Sequence, residues 1–443
     1  MSLILATVLL GVMCTQKPKD QQAGTQPSAI NGLLESFYQE WLGFYPLLAT
    51  QQGVTGYDDQ LPIDVTDGFR QRLRAFFVRT QSSLKQIDPA GLNQKDRISY
   101  DILDWECKVN LEALEFPENY MPINQFWSLP LTFGQYGSGS GAQPFKTVEN
   151  YDNWLKRMAL FPAWCDSAIV YTRKGLEKGY VLPKSLIVKI IPQFKELITA
   201  DPTTSLYYDP IKQMPEDFPA ADKQRLMDAY SKSIHEQIVP AFRRLATFFE
   251  KEYLPKGRST SGYSDLPGGR ERYNKLIRFW TTTNMTADDI FNLGQREVLR
   301  IRGEMEKVKT EVGFKGDLRA FFDDVRSNKK FMPFKTPEEV VAWYAGLETT
   351  MKPQLSKMFD LVPKSKFEVR RTEAFREASS SAEYIQGTPD GSRPGVFYVP
   401  IPDATKHNVI GGEALFLHEA IPGHHYQVSL QQEDTTLPTF RRF

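Results

Sequence analysis

"FLHEAIPGHHYQ" occupies residues 416–427 and holds three of the five histidines of a 443-residue chain, His418, His424 and His425. Many zinc sites place two histidines four residues apart on a helix, so that both rings meet one ion and an intervening Glu acts on water. Here the fourth residue after His418 is Pro422, which cannot ligate. His424 and His425 follow at six and seven. On an unbroken helix seven residues return to the same face but rise about 10 Å, too far for one ion. The stretch therefore fails the simple spacing. Pro422-Gly423, however, is the pair best suited to bend or end a helix. A break there returns His424 to the side of His418, with Glu419 directly after the first histidine. The opposing reading is an ordinary buried helix, because "EALFLHEAI" (413–421) is apolar nearly all round. A buried His-Glu pair costs a few kcal/mol of desolvation, which a metal or a tight charge network would offset.

Working outward, residues 367–403 depart from an otherwise helical pattern. A Thr388-Pro389-Asp390-Gly391 turn precedes the β-type run Val396-Phe397-Tyr398-Val399, which Pro400 ends. This predicts a small hairpin or sheet edge immediately before the histidine helix. Upstream the chain reads as helix after helix. Leu33, Leu34, Phe37, Tyr38, Trp41 and Leu42 recur at helical spacing, interrupted by Pro46 and closed by Gly53. Thr336-Pro337-Glu338-Glu339 is a capping box, and Thr286-Ala287-Asp288-Asp289 is a similar start. The second opens a run with Ile290, Leu293, Val298, Ile301, Met305 and Val308 on one face. Segments 116–149 and 252–270, rich in Pro, Gly and Ser, read as long loops. The pattern contains no strand–helix alternation, phosphate-binding glycine loop or fixed-period repeat.

Composition sets the frame. Hydrophobic residues make up 41% and charged residues 24%, enough apolar matter for a large core. Lys+Arg and Asp+Glu both number 54, so charge points to neither nucleic acid nor an anionic membrane surface as partner. Cys14, Cys107 and Cys165 are too few for a disulfide framework, and the last two read as buried small hydrophobes. Residues 1–14, "MSLILATVLLGVMC", form an apolar run of signal-segment length that is too short to span a bilayer. A polar tether over 15–28 follows. Cys14 is thus the expected lipidation site of an exported chain. No Lys or Arg precedes the run, however, and Met13 stands where a small residue is expected. A ragged N-terminus is the alternative. Residues 29–443 are expected to form one helical domain.

"HEAIPGHHYQ", preceded by "DGSRPGVFYV", resembles the bacterial family known as domain of unknown function 885. The likeness extends upstream through "LPGGRERYNKLIRFWTTTNMTADDIFNLGQREVLRIRGEM" (266–305), "FYQEWLGFYPLLATQQG" and "LPLTFGQYG". That family is similar to the mostly helical gluzincin peptidases. The resemblance implies a mainly α, multi-helix gluzincin-like domain with an edge strand before the His-Glu helix, and a Zn2+ site cleaving short peptides. It makes His418 and His424 the metal ligands and Glu419 the general base. His425 becomes an alternative ligand or oxyanion donor, and Gln427 a supporting residue. Tyr384 and Tyr398 are candidate donors to the substrate carbonyl, and Val396, Phe397 and Tyr398 the strand that takes the substrate backbone. Asp403 and His407 are lesser ligand candidates. The family continues into a Glu-Gly-Trp-Ala-Leu-Tyr motif whose Glu is the third ligand. No residue after Gln427 matches it, and Glu433 and Asp434 are poor substitutes. The expectation is a C-terminally truncated chain with weak or absent zinc and impaired hydrolysis. The location would be the periplasm or cell envelope, with membrane contact only through the N-terminal lipid anchor. A non-catalytic, lipid-anchored peptide-binding protein is the alternative.

Overall fold

A computed structural model describes residues 29–443; residues 1–28, where the sequence leads one to expect an export segment, a tether and a lipidated Cys14, lie outside the described residues. The spine of the larger core is the 31-residue helix Val148–Lys178. Thr147 and Asn150 close a capping box at its start, satisfying two otherwise orphaned amide groups. Trp154, Met158, Phe161, Cys165 and Ala168 recur at alternating spacings of four and three and are buried. Phe161 stacks on Phe133 with ring centroids 4.3 Å apart and meets Phe242 at 5.2 Å. Phe133 belongs to the helix Leu129–Gly137, inside a segment the sequence reads as loop. Pro130 near its start fits the first helical turn, and Leu131, Phe133 and Tyr136 bury its inner face. Cys107 and Cys165 are free and buried, as the low cysteine count implies.

The first helix, Ala29–Phe44, stops before Pro46 and a short helix resumes at Pro46–Gln51. Arg157, fully buried on the long spine, fixes the chain that follows. Its Nη2 donates to Thr50 Oγ1 at 2.8 Å and to the Tyr57 carbonyl at 2.7 Å, and its Nη1 to Gln143 Oε1 at 2.5 Å. Burial lowers its pKa to about 10, which leaves it charged at neutral pH. This anchoring holds Gln51 where it lines the cleft described below.

A second core gathers around the helix Pro337–Leu355, opened by the Thr336–Glu339 capping box. It carries a three-stranded sheet of β1 (Phe367–Arg371), β2 (Glu383–Ile385) and β3 (Gly395–Val399) in the order β1-β3-β2. β1 runs parallel to β3 and β2 antiparallel to it. Tyr344 packs edge-on against Phe397 at 5.4 Å. Trp343 lies so close to Gly412 that a Cβ there would sit 2.6 Å from its ring, which seats the start of the histidine helix. The helix Ala287–Glu311 forms from its Thr286–Asp289 box, yet buries none of its residues. Among the described residues, no helix is long and apolar enough to cross a membrane.

The fold is therefore mainly α with a small sheet before the His-Glu helix, as expected. The position of the β-type run within that sheet is not as expected. Val396–Val399 is the central strand, flanked on both sides and buried at every position. Its backbone is already paired, so Val396, Phe397 and Tyr398 cannot receive a substrate strand. The edges of the sheet are β1 and β2.

Candidate functional site

The helix Gly412–Glu419 ends where Ala420 leaves helical geometry, and a second helix, His424–Glu433, starts after Gly423. The turn is tight. A Cβ on Gly423 would overlap the His418 carbonyl and backbone carbon and the Leu417 carbonyl, so only glycine fits. The Tyr426 amide donates to the Ala420 carbonyl at 3.3 Å, tying the second helix to the end of the first. Folded back in this way, His424 Nε2 lies 3.1 Å from His418 Nε2, with the rings nearly perpendicular at 79°. The Glu419 carboxylate is 4.0 Å from His418 Nε2. The three ligand-type groups lie within 4.8 Å of one another.

The environments of the three differ. Both histidines are exposed, whereas Glu419 is buried. Burial raises the Glu419 pKa above the usual carboxylate range; the two imidazoles pull it back and Glu383 pushes it up. Two neutral imidazoles facing each other at 3.1 Å share at most one hydrogen bond. Two nitrogens bound at 2.0–2.1 Å to a tetrahedral zinc stand about 3.3 Å apart. The pair as found therefore fits a small divalent cation with little movement.

Above the pair opens a cleft of about 380 Å³. Its lining includes Ser381, Ala382, Glu383, Tyr384 and Gln386, from the segment that contains β2, together with Gln51, Phe126 and Trp127. Strand β2 pairs on one side only among the described residues, so one of its edges is unpaired, and Glu383 and Tyr384 of this strand line the cleft.

Several expected residues sit elsewhere. His425 faces away from the pair and is buried against Phe367, ring centroids 4.8 Å apart. Its Nδ1 meets the Tyr384 hydroxyl at 3.0 Å and Ser429 Oγ at 3.3 Å. Burial drives its pKa down to about 4, so it is neutral and acts as a brace for Tyr384, not as a ligand or oxyanion donor. The physical reason is parity: neighbours on a helix point about 100° apart, so His424 and His425 cannot share one target. Tyr398 is also displaced. Its hydroxyl donates to the Ser140 carbonyl at 3.2 Å and its ring packs under Arg376, so it does not reach the cleft. Tyr384, the other candidate donor, does line the cleft. Gln427 is exposed and lines nothing there. Asp403 caps its own turn at Thr405, His407 lies against Tyr344 and Phe334, and Glu433 accepts from the Lys364 and Ser365 amides. Asp434 accepts from the Thr436 amide. None of these four joins the cluster.

The residues that sequence reasoning missed are Glu383, Phe126, Trp127 and Gln51. The alternation Glu383-Tyr384-Ile385 was a weak strand signal. Nothing local marked the other three, since long-range packing brings them to the cleft.

The profile of one family matches residues 46–443: bacterial protein of unknown function, DUF885. The chain belongs to this family. No curated protein matches it. Among solved structures, a "putative lipoprotein" from Colwellia psychrerythraea is similar, with a TM-score of 0.81 at 19% identity over 93% of this chain and 74% of that one. A protein from Shewanella oneidensis, described in the same terms and as of unknown function, has a TM-score of 0.53 at 18% identity over 91% and 72%. At these identities the likeness concerns the fold.

The turn makes a direct prediction. Gly423→Ala should destabilise the protein by about 2–3 kcal/mol through overpacking against the preceding backbone. Gly346→Ala, on the helix Pro337–Leu355 with nothing within 4 Å of the added methyl, should be neutral or stabilising by up to about 1 kcal/mol. Denaturant unfolding of the two variants measures both. Equal stabilities would mean that the backbone does not close on Gly423.

Proposed function

We propose that the chain is a metal-dependent hydrolase of short peptides. The carrying observation is the 3.1 Å approach of His418 and His424 beside a buried carboxylate, under an open strand edge. His418 and His424 would hold the metal, with zinc the best match to the imidazole pair. A bound divalent metal would supply Lewis acidity, polarising a carbonyl and acidifying water. An extended peptide would add to β2 as a further strand, with main-chain hydrogen bonds fixing its register. Tyr384, braced by His425, keeps the floor beside that strand rigid. Glu419 is the general base: its carboxylate takes a proton from the attacking water as the C–O bond forms, then passes it to the departing amine nitrogen as the C–N bond breaks. Its raised pKa brings its basicity closer to that task.

One observation favours a second reading, a non-catalytic peptide-binding protein. Among the described residues the cluster offers two imidazoles and one carboxylate. A catalytic zinc site uses three protein ligands besides the base. Turnover separates the two. Glu419→Gln should lower cleavage of a quenched peptide library by about 10²–10⁴-fold while zinc content, measured by metal analysis, is kept. His418→Ala and His424→Ala should each lose the zinc. Peptide binding without hydrolysis in the unaltered chain would favour the binding protein, and unchanged zinc in both histidine variants would remove the metal from the account.

We also propose that the protein works at the cell envelope, anchored through Cys14. The support is the apolar run ending at that cysteine and the lipoprotein descriptions of the two neighbours. Cells fed radiolabelled palmitate should label the protein and fail to label Cys14→Ser. Equal labelling, or none in either, would leave the anchor without basis.

A further inference from the structure

The proposed chemistry leaves one feature of the cleft unused. Of its lining residues, the acidic ones are Glu383 and Glu419, and neither Lys nor Arg lines it. Glu419 has a role as base. Glu383 has none. It stands on β2, and its Oε1 accepts from Arg376 Nη1 at 2.5 Å, while Oε2 has no protein partner among the described residues. Arg376 is itself buried and shared: its Nε donates to Glu373 at 2.6 Å. One guanidinium thus faces two carboxylates, so Glu383 shares its cation with Glu373. The arrangement orients Glu383 without neutralising it.

The aromatic part of the lining is also specialised. Phe126 is 42% exposed and Trp127 67%, and their rings meet edge-to-face at 5.1 Å. Large aromatics in water on a floppy loop would be unremarkable. This loop is braced. Asn124 Oδ1 accepts from the amides of Phe126 and Trp127 at 2.8 and 2.6 Å. The buried Gln193 donates from Nε2 to the Gln125 carbonyl at 2.9 Å and to Ser379 Oγ at 2.6 Å. Ser379 lies on the chain that leads into β2. One side chain therefore fixes the aromatic wall to the acidic wall.

We infer that the cleft selects peptides carrying a lysine or arginine side chain next to the reacting bond, with Glu383 as the specificity-determining carboxylate and Phe126–Trp127 as the apolar and π wall. This deepens the peptide-hydrolase reading and rests on it. A peptide residue paired opposite Glu383 on β2 stands about 5 Å away on the same face, within reach of a long basic side chain. The aromatic rings cover the methylenes and attract the cationic head, and the half-exposed carboxylate takes its N–H groups. An acidic side chain would meet Glu383 with like charge. A neutral one would desolvate the carboxylate with nothing in return.

The test measures binding, not turnover. Calorimetry on the zinc-loaded Glu419→Gln full chain uses three peptides of one sequence, with lysine, norleucine or glutamate at one position. The lysine peptide should bind about tenfold more tightly than the norleucine peptide, the glutamate peptide should bind least, and rising salt should shrink the gap. Adding Glu383→Gln should bring the lysine-to-norleucine ratio to about one, by weakening the lysine peptide and strengthening the norleucine peptide, with circular dichroism and thermal melting showing that the variant is folded. Trp127→Ala should weaken lysine and norleucine peptides together. If Glu383→Gln binds no peptide, the salt response and the lysine preference of the parent decide. Equal binding of lysine and norleucine peptides by the parent overturns this inference and leaves the peptide-hydrolase reading standing. Binding of no peptide by the parent overturns both. A lysine preference that survives in a folded Glu383→Gln variant removes Glu383 from the role.

Discussion

The site depends on one close approach of backbone to backbone. Gly423 lies against the carbonyls of Leu417 and His418, in space that a single methyl group would fill. Because the chain can pass there, the second helix starts one turn's width from the end of the first, and two histidines six residues apart become neighbours at 3.1 Å. The rest of the C-terminal core holds that turn in place. Trp343 seats Gly412 at the start of the first helix, Phe416 is buried beneath it, and Tyr426 ties the second helix back to Ala420. The exposed imidazoles are the visible outcome of this buried arrangement.

Electrostatics then divides the labour. Glu419 is held in the interior beside two exposed imidazoles, so its carboxylate is desolvated on one side and reachable on the other. His425, one residue from a candidate ligand, is driven neutral by burial and spends its Nδ1 on Tyr384 and Ser429. Two adjacent histidines thus have opposite fates, one at the mouth of the cleft and one in its foundation. Glu433 is likewise used up, capping the amides of Lys364 and Ser365 that lead into β1.

What could be read from the sequence was local. The capping boxes at Thr286 and Thr336 announce their helices, Pro46 announces its break, and Pro422-Gly423 announces the interrupted histidine helix. What could not be read was set by distant partners. The run Val396–Val399 reads as a strand from its residues alone. Its central position depends on β1, some thirty residues upstream and parallel, which no turn signal connects to it. The family resemblance assigns Tyr398 and His425 to the site, and both face the other way because strand and helix periodicity sends neighbours to different sides. Phe126, Trp127 and Gln51 reach the cleft through tertiary packing and the Arg157 and Gln193 anchors, and no local pattern marks such contacts.

The proposed chemistry requires that His418 and His424 together hold one metal ion. X-ray absorption at the zinc edge of the zinc-loaded chain tests it most directly. Nitrogen and oxygen scatterers are expected at about 2.0–2.1 Å, with outer-shell scattering from two imidazole rings. That imidazole signal should disappear with the zinc in His418→Ala and in His424→Ala. A spectrum without imidazole scattering, or one that both substitutions leave unchanged, would contradict it.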